Sequence, residues 1–212
     1  NGFTYGKHYL KCLPTVMPLP QTYGIGTLRS TKETLSHRSR FGYLKVIALQ
    51  HIYGYRHDYQ GIINFDERNI RSLSVNDWID IRKHSLSILF QELHIYPELT
   101  AIENIQLKNR LTNFKKKKEV LTLFEAIGIA DKVNEKAGKL SFGQQQRVAF
   151  IRSLCQPFDF IFLDEPVSHL DDENGTIMGR LLTEEASRQG AGIIVTSIGK
   201  HLELDYDEIY QL

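Results

Sequence analysis

Residues 139–171 read KLSFGQQQRVAFIRSLCQPFDFIFLDEPVSHLD, and the fold follows from how this stretch is parsed. Ser141 stands just ahead of an apolar-periodic run over 142–155, with Gln144 three residues on. That is the pattern of a helix whose Ser caps the first turn and whose Gln closes a capping box. A helix N-terminus with free N–H groups attracts anions, and Gly143 lets backbone come close to one. Asp159-Phe-Ile-Phe-Leu163 is almost wholly apolar, as expected of a strand buried on both faces of a parallel sheet. It runs into Asp164-Glu165, two adjacent carboxylates at a strand end. Taken alone, such a pair is as readily a solubilising strand end as a reactive one.

Working outward, short apolar runs alternate with helical patterns. Strand candidates are Tyr23–Ile25, Ile62–Phe65, Ser87–Phe90, Asp159–Leu163, Gly192–Thr196 and Glu208–Tyr210. Helical patterns lie near 44–54, 101–110, 116–127, 142–155 and 173–188, with a capping box at Thr100–Glu103 and a terminating Gly128. The alternation predicts an α/β fold. Residues 1–22 differ: Pro14, Pro18 and Pro20 suit the edge strands or turns of a small antiparallel sheet. There is no internal repeat and no low-complexity segment.

The 212 residues suit one sizeable domain, and the formal net charge is +1. No basic, aromatic-interleaved surface of the kind that binds nucleic acid is expected. The basic run Lys115–Lys118 reads as a solvated helix start. Cys12 and Cys155 are far apart with no C-x-x-C spacing, the pattern of two unpaired thiols in a reducing compartment. No apolar run approaches the ~18 residues of a membrane span, and no signal-peptide pattern is visible.

Three motifs in order carry a family resemblance. Leu140-Ser141-Phe142-Gly143-Gln144 resembles the signature motif of ATP-binding cassette (ABC) ATPases. Ile161–Pro166 resembles their Walker B strand, with Asp164 and a catalytic Glu165. Ser168-His-Leu170-Asp171 resembles their D-loop. Upstream, Gln91 at the end of Ser87–Phe90 resembles the Q-loop Gln, and ELHIYPELTAIENI is similar to the same region in the subfamily serving lipoprotein export, macrolide export and cell division. Phe3-Thr-Tyr5-Gly6 resembles the A-loop, whose aromatic, here Tyr5, stacks on adenine. The resemblance implies a P-loop NTPase core of RecA type in a single domain over residues 1–212. It adds an antiparallel β subdomain from 1–22 and 55–66 and a helical subdomain near 92–140.

That family requires a phosphate loop, G-x-x-x-x-G-K-[ST], between A-loop and Q-loop. Two placements compete. In the first, GTLRSTKET is the loop, with Gly26, Ser30, Thr31, Lys32, Glu33 and Thr34 around the nucleotide. Thr31 stands where Gly lets backbone wrap the β-phosphate, and Glu33 stands where a hydroxyl holds Mg²⁺. A carboxylate about 4 Å from a phosphate charge costs roughly 4 kcal/mol at an effective dielectric near 20. In the second placement Phe41-Gly42-Tyr-Leu-Lys45 is the loop, with Val46 and Ile47 in place of both hydroxyls. The first is preferred because an apolar strand candidate, Tyr23–Ile25, precedes it, whereas His37, Arg38 and Arg40 precede the second. Near the end, Ser197 follows Val195-Thr196 where the family's switch His sits. Ser donates a hydrogen bond but carries no charge. His201 is read as a surface residue.

The resemblance implies an ATP-binding subunit, with ATP and Mg²⁺ as cofactors and Gln91 and Asp164 at the metal. Its implied partners are an integral-membrane permease and a second ABC chain, identical or different, on the cytoplasmic face of the membrane. The competing expectation is a structural or regulatory pseudo-ATPase with the same fold, favoured by Glu33 and Ser197 and opposed by the intact Glu165.

Overall fold

The computed structural model describes residues 9–13, 27–29, 34–38, 49–59, 62–197, 202–206 and 208–211. The strands are β1 (Tyr9–Leu13), β2 (Thr27–Arg29), β3 (Thr34–Arg38), β4 (Ile62–Phe65), β5 (Arg68–Asn69), β6 (Leu86–Leu89), β7 (Phe160–Asp164), β8 (Gly192–Ser197) and β9 (Glu208–Gln211). The helical segments are α1 (49–52), α2 (Val75–His84), α3 (Ala101–Asn109), α4 (Lys117–Ala126), α5 (Phe142–Leu154) and α6 (Asp172–Gln189).

The strands form two sheets. An antiparallel sheet runs β2-β1-β4-β5, and a parallel one runs β6-β7-β8-β3-β9. The first draws on Tyr9–Leu13 and Ile62–Phe65, within the expected 1–22 and 55–66, and adds Thr27–Arg29 and Arg68–Asn69. In the second, β7 and β8 are buried at every residue. Successive side chains point to opposite faces. Ile161, Leu163, Ile193 and Val195 face a core with α5 and α6, while Phe160, Phe162 and Ile194 face one with Leu49, Tyr53 and Trp78. Helical layers therefore cover both faces, the only way an all-parallel sheet keeps dry.

Three expectations change. The stretch GTLRSTKETL does not form strand, loop and helix. Thr27–Arg29 pairs with β1 in the antiparallel sheet, and Thr34, assigned to a phosphate loop, opens β3 in the parallel sheet. The stretch thus has strand at 27–29 and from Thr34 onward, while the Tyr23–Ile25 strand that favoured Lys32 lies outside the described residues. Gly26, Ser30, Thr31, Lys32 and Glu33 lie outside the described residues, as do Tyr5, Tyr23–Ile25, Gly42, Lys45 and His201.

The basic run is not uniformly solvated. Lys115 is buried, and its Nζ donates to Glu185 on α6 at 2.8 Å; Lys116–Lys118 remain exposed at the start of α4. The third change is α2, which apolar spacing hides because Val75 and Ile79 face outward and only Trp78 is fully buried. Its start is legible in chemistry: Ser74 and Asp77 form a capping box, with Ser74 N donating to Asp77 Oδ2 at 2.8 Å.

Gly54 ends the turn after α1 at φ +74°, where a Cβ would stand 2.4 Å from the Trp78 ring. Arg82 locks that turn by donating to the Tyr53 and Gly54 carbonyls while lying over Trp78. Gly54→Ala therefore combines a left-handed backbone with an overpacked core. We expect a loss of about 2–4 kcal/mol, read as a lower denaturant midpoint with an unchanged slope.

Candidate functional site at the carboxyl edge of the parallel sheet

Parallel α/β sheets bind ligands beyond the carboxyl ends of their strands. Here those ends converge. Asp164 closes β7 opposite Thr196 of β8, whose Oγ1 donates to Asp164 Oδ1 at 2.7 Å. Ser197, buried at 2 % exposure, is the next residue and lies opposite Arg38, the last residue of β3. The chain leaving β3 thus departs beside Asp164 and Ser197, and it re-emerges in α1 at 49. In sequence β3 is followed by α1, with residues 39–48 outside the described residues.

Glu165 follows Asp164 and is held in an uncommon conformation. Its φ is +49°, and it is nearly buried. A non-glycine residue in this region needs surroundings that over-determine it. They do. Its N–H donates to the Thr196 carbonyl at 3.0 Å, and its carbonyl accepts from Gln146 Nε2 at 3.2 Å and Ser168 Oγ at 3.2 Å. Gln146 also donates to the Pro166 carbonyl at 2.8 Å. Gln146, buried in α5, thus ties the signature helix to the acidic turn. Apolar spacing could not single it out, because it is one of three consecutive glutamines; its burial beside Val148 and Ala149 is what distinguishes it. Thr196 was likewise missed as a support of Asp164.

The signature residues form the start of α5. Ser141 caps the helix, accepting from Gln144 N at 3.3 Å, while Gln144 Oε1 accepts from Ser141 N at 3.0 Å. Leu140 is buried below them, and Ser141 and Phe142 are exposed. Gly143 lies on the 168–171 turn, where a Cβ would meet the His169 carbonyl at 3.4 Å and Leu170 Cδ2 at 3.5 Å. The Phe142 and His169 rings meet edge to face, 4.5 Å between centroids. Asp171 caps α6, accepting from Asn174 N at 2.8 Å, and this bond with the Asn174 side-chain bonds holds its carboxyl below the usual range. Arg147 joins Asn174 to the Ile127 carbonyl at the end of α4. The start of α5, the 168–171 turn and the end of α4 are thus tied together.

Gln91 is exposed two residues beyond β6, the strand that pairs β7. With Asp164 it supplies one amide and one carboxylate oxygen donor at neighbouring strand ends. Mg²⁺ is commonly held by one or two carboxylates together with water and substrate phosphate. The donor chemistry fits that ion, although Val46 and Ile47 bring no hydroxyl after Lys45. Among the described residues no cluster of His, Cys, Asp and Glu forms a cage for a metal on its own.

The family model described as "ABC transporter" matches residues 45–168, more than half of the chain. This protein belongs to the ABC transporter family. An uncharacterized ABC transporter ATP-binding protein of Mycobacterium tuberculosis is 31 % identical over 147 residues, 68 % of this chain and 44 % of that protein. The lipoprotein-releasing system ATP-binding protein LolD of Syntrophotalea carbinolica is 30 % identical over 155 residues, 72 % of this chain and 68 % of LolD. The match thus spans less than half of the mycobacterial relative's length. The solved ATP-binding cassette MJ0796, a dimeric post-hydrolysis state bound to ADP and Pi, superposes with a TM-score of 0.71 at 24 % identity, over 90 % of this chain and 87 % of that one. The fold of this ABC family member is therefore that of the ABC cassette, a P-loop NTPase. No described helix is long and apolar enough to cross a membrane.

Proposed function

We propose that this chain is the ATP-binding subunit of an ABC-type permease complex, peripheral on the cytoplasmic face of the membrane. In that role it turns ATP binding and hydrolysis into movement of an integral-membrane partner. The observation that carries the reading is the meeting of Asp164, Glu165 and Ser197 with the exit of β3. The same observation favours Lys45 over Lys32 as the phosphate-loop lysine, since Lys45 lies between β3 and α1 and the family match begins at it.

Lys45 neutralises phosphate charge, and Asp164 and Gln91 would hold Mg²⁺, which would supply charge neutralisation at the phosphates. Tyr5 stacks on adenine. Glu165 takes a proton from the water that attacks the γ-phosphorus, the bond to the bridging oxygen breaks, and ADP and phosphate leave. Ser141 and Gly143 offer a helix N-terminus to the γ-phosphate held by a second ABC chain. Ser168, Leu170 and Asp171 support that surface through α6.

A second reading has its own observation. The loop carries Val46 and Ile47 where hydroxyls hold the metal, and Ser197 replaces the switch His, whereas the signature and Glu165 are kept. Such a chain completes a partner's site better than its own. MgATP titration calorimetry tests both. The main reading expects saturable binding that Lys45→Ala removes and Lys32→Ala leaves intact. Absence of binding in the unaltered chain would reject the main reading in favour of the second.

A further inference from the structure

Gln146 has a side chain that packing alone does not call for. It sits in the second turn of α5 at 2 % exposure, just ahead of the buried Val148, Ala149 and Phe150. Its Nε2 donates to the Glu165 and Pro166 carbonyls, at 3.2 and 2.8 Å. These two acceptors fix the orientation of the amide, because the flipped amide would set Oε1 against two carbonyl oxygens. Oε1 therefore points away from them, and it has no hydrogen-bond partner among the described residues. A buried acceptor left without a bond is destabilising, and an apolar side chain of similar volume would avoid that cost. The glutamine thus serves the two carbonyls it holds rather than the packing of the helix.

Those carbonyls belong to the turn that carries Glu165. The left-handed backbone there, at φ +49°, needs restraint from its surroundings. On the amino side, the Glu165 N–H donates to the Thr196 carbonyl in β8 at 3.0 Å. On the carboxyl side, Ser168 Oγ belongs to the turn itself and moves with it, whereas Gln146 reaches in from α5. The turn is thereby spanned between the parallel sheet and the signature helix. We propose that Gln146 is a positioning residue for Glu165. By holding the peptide groups that follow Glu165 and Pro166, it sets the direction in which the Glu165 carboxylate leaves the strand end, without touching nucleotide itself. The inference rests on the ATPase reading and adds to it the residue that aligns the base. A reacting group displaced by about 1 Å costs on the order of 10²-fold in rate.

The test compares Gln146→Met, which keeps the volume and removes both donated bonds, with Val148→Ala, which thins the same helix two residues on. Far-ultraviolet melting confirms that each folds. The first measurement is amide hydrogen exchange at Glu165 in the full chain alone, without nucleotide. Gln146→Met should exchange there roughly fivefold faster or more, the factor that about one lost hydrogen bond supplies, and Val148→Ala should exchange like the unaltered chain. The second is phosphate release by the assembled complex over a range of MgATP. In Gln146→Met kcat should fall about 10–10²-fold at an unchanged KM, and in Val148→Ala it should hold. Unchanged exchange at Glu165 in Gln146→Met overturns the positioning role. An equal fall of kcat in Val148→Ala also overturns it, since loosened packing would then suffice. A raised KM with kcat intact overturns it too, because Gln146 would then serve nucleotide binding. Absence of hydrolysis by the unaltered complex overturns the ATPase reading instead, and exchange at Glu165 still decides whether Gln146 holds the turn.

Discussion

Glu165→Gln should lower ATP hydrolysis by the assembled complex by about 10²–10⁴-fold, the usual contribution of a positioned general base, and leave ATP affinity unchanged. The conformation of Glu165 is fixed through its backbone, by the Thr196 carbonyl, Gln146 and Ser168. An isosteric amide keeps every one of those bonds and removes only the capacity to accept a proton. Phosphate release at saturating MgATP measures the rate, and a titration of the same preparation measures affinity. A variant that hydrolyses ATP as fast as the unaltered complex would show that Glu165 is not the base. A variant that loses affinity as well would show that the carboxylate supports the fold or the nucleotide rather than the proton transfer.

Glu185→Ala should strongly destabilise the fold. Glu185 receives the buried Lys115 ammonium at 2.8 Å, Arg188 at 2.7 Å and Gln189 at 2.6 Å. Arg188 is half exposed and can turn to water. Lys115 is only 4 % exposed at its side chain, and its backbone is pinned by both Asn109 side-chain atoms at 2.9 Å. Removing the carboxylate strands that ammonium, at a cost of about 3–5 kcal/mol. For a domain of this size the melting temperature falls by roughly 10 °C. Lys115→Met in the same background should restore part of the loss, because it removes the stranded charge. A Glu185→Ala protein that melts with the unaltered one would mean the pair contributes nothing net.

Much of this was legible in the chain because the signals are chemical as well as apolar. Ser141-x-x-Gln144 and Thr100-x-x-Glu103 announce their helices by capping, and the structure has both boxes. The apolar runs of β7 and β8 announce strands buried on both faces. What resisted was β3. Its sequence, TLSHR, has no apolar run, so neither burial nor alternation marks it. Strand pairing is made by backbone groups that every residue shares, and the partners of β3, at 192–197 and 208–211, are remote in sequence. Hydropathy therefore favoured Tyr23–Ile25 as the leading strand, and with it Lys32. The sheet order is what favours the downstream placement proposed above. Lys115 resisted for a related reason: in a run of four lysines, sequence does not distinguish the one that meets Glu185.

Which lysine holds the phosphates decides between the two loop placements. The purified chain would be treated with an acyl phosphate of ATP, which transfers its acyl group to an amine beside the terminal phosphate, and the modified lysine would be mapped by peptide mass spectrometry. Acylation of Lys45, suppressed by excess MgATP, is the result expected of a phosphate loop between β3 and α1. Acylation centred on Lys32, or no lysine protected by MgATP, would contradict it.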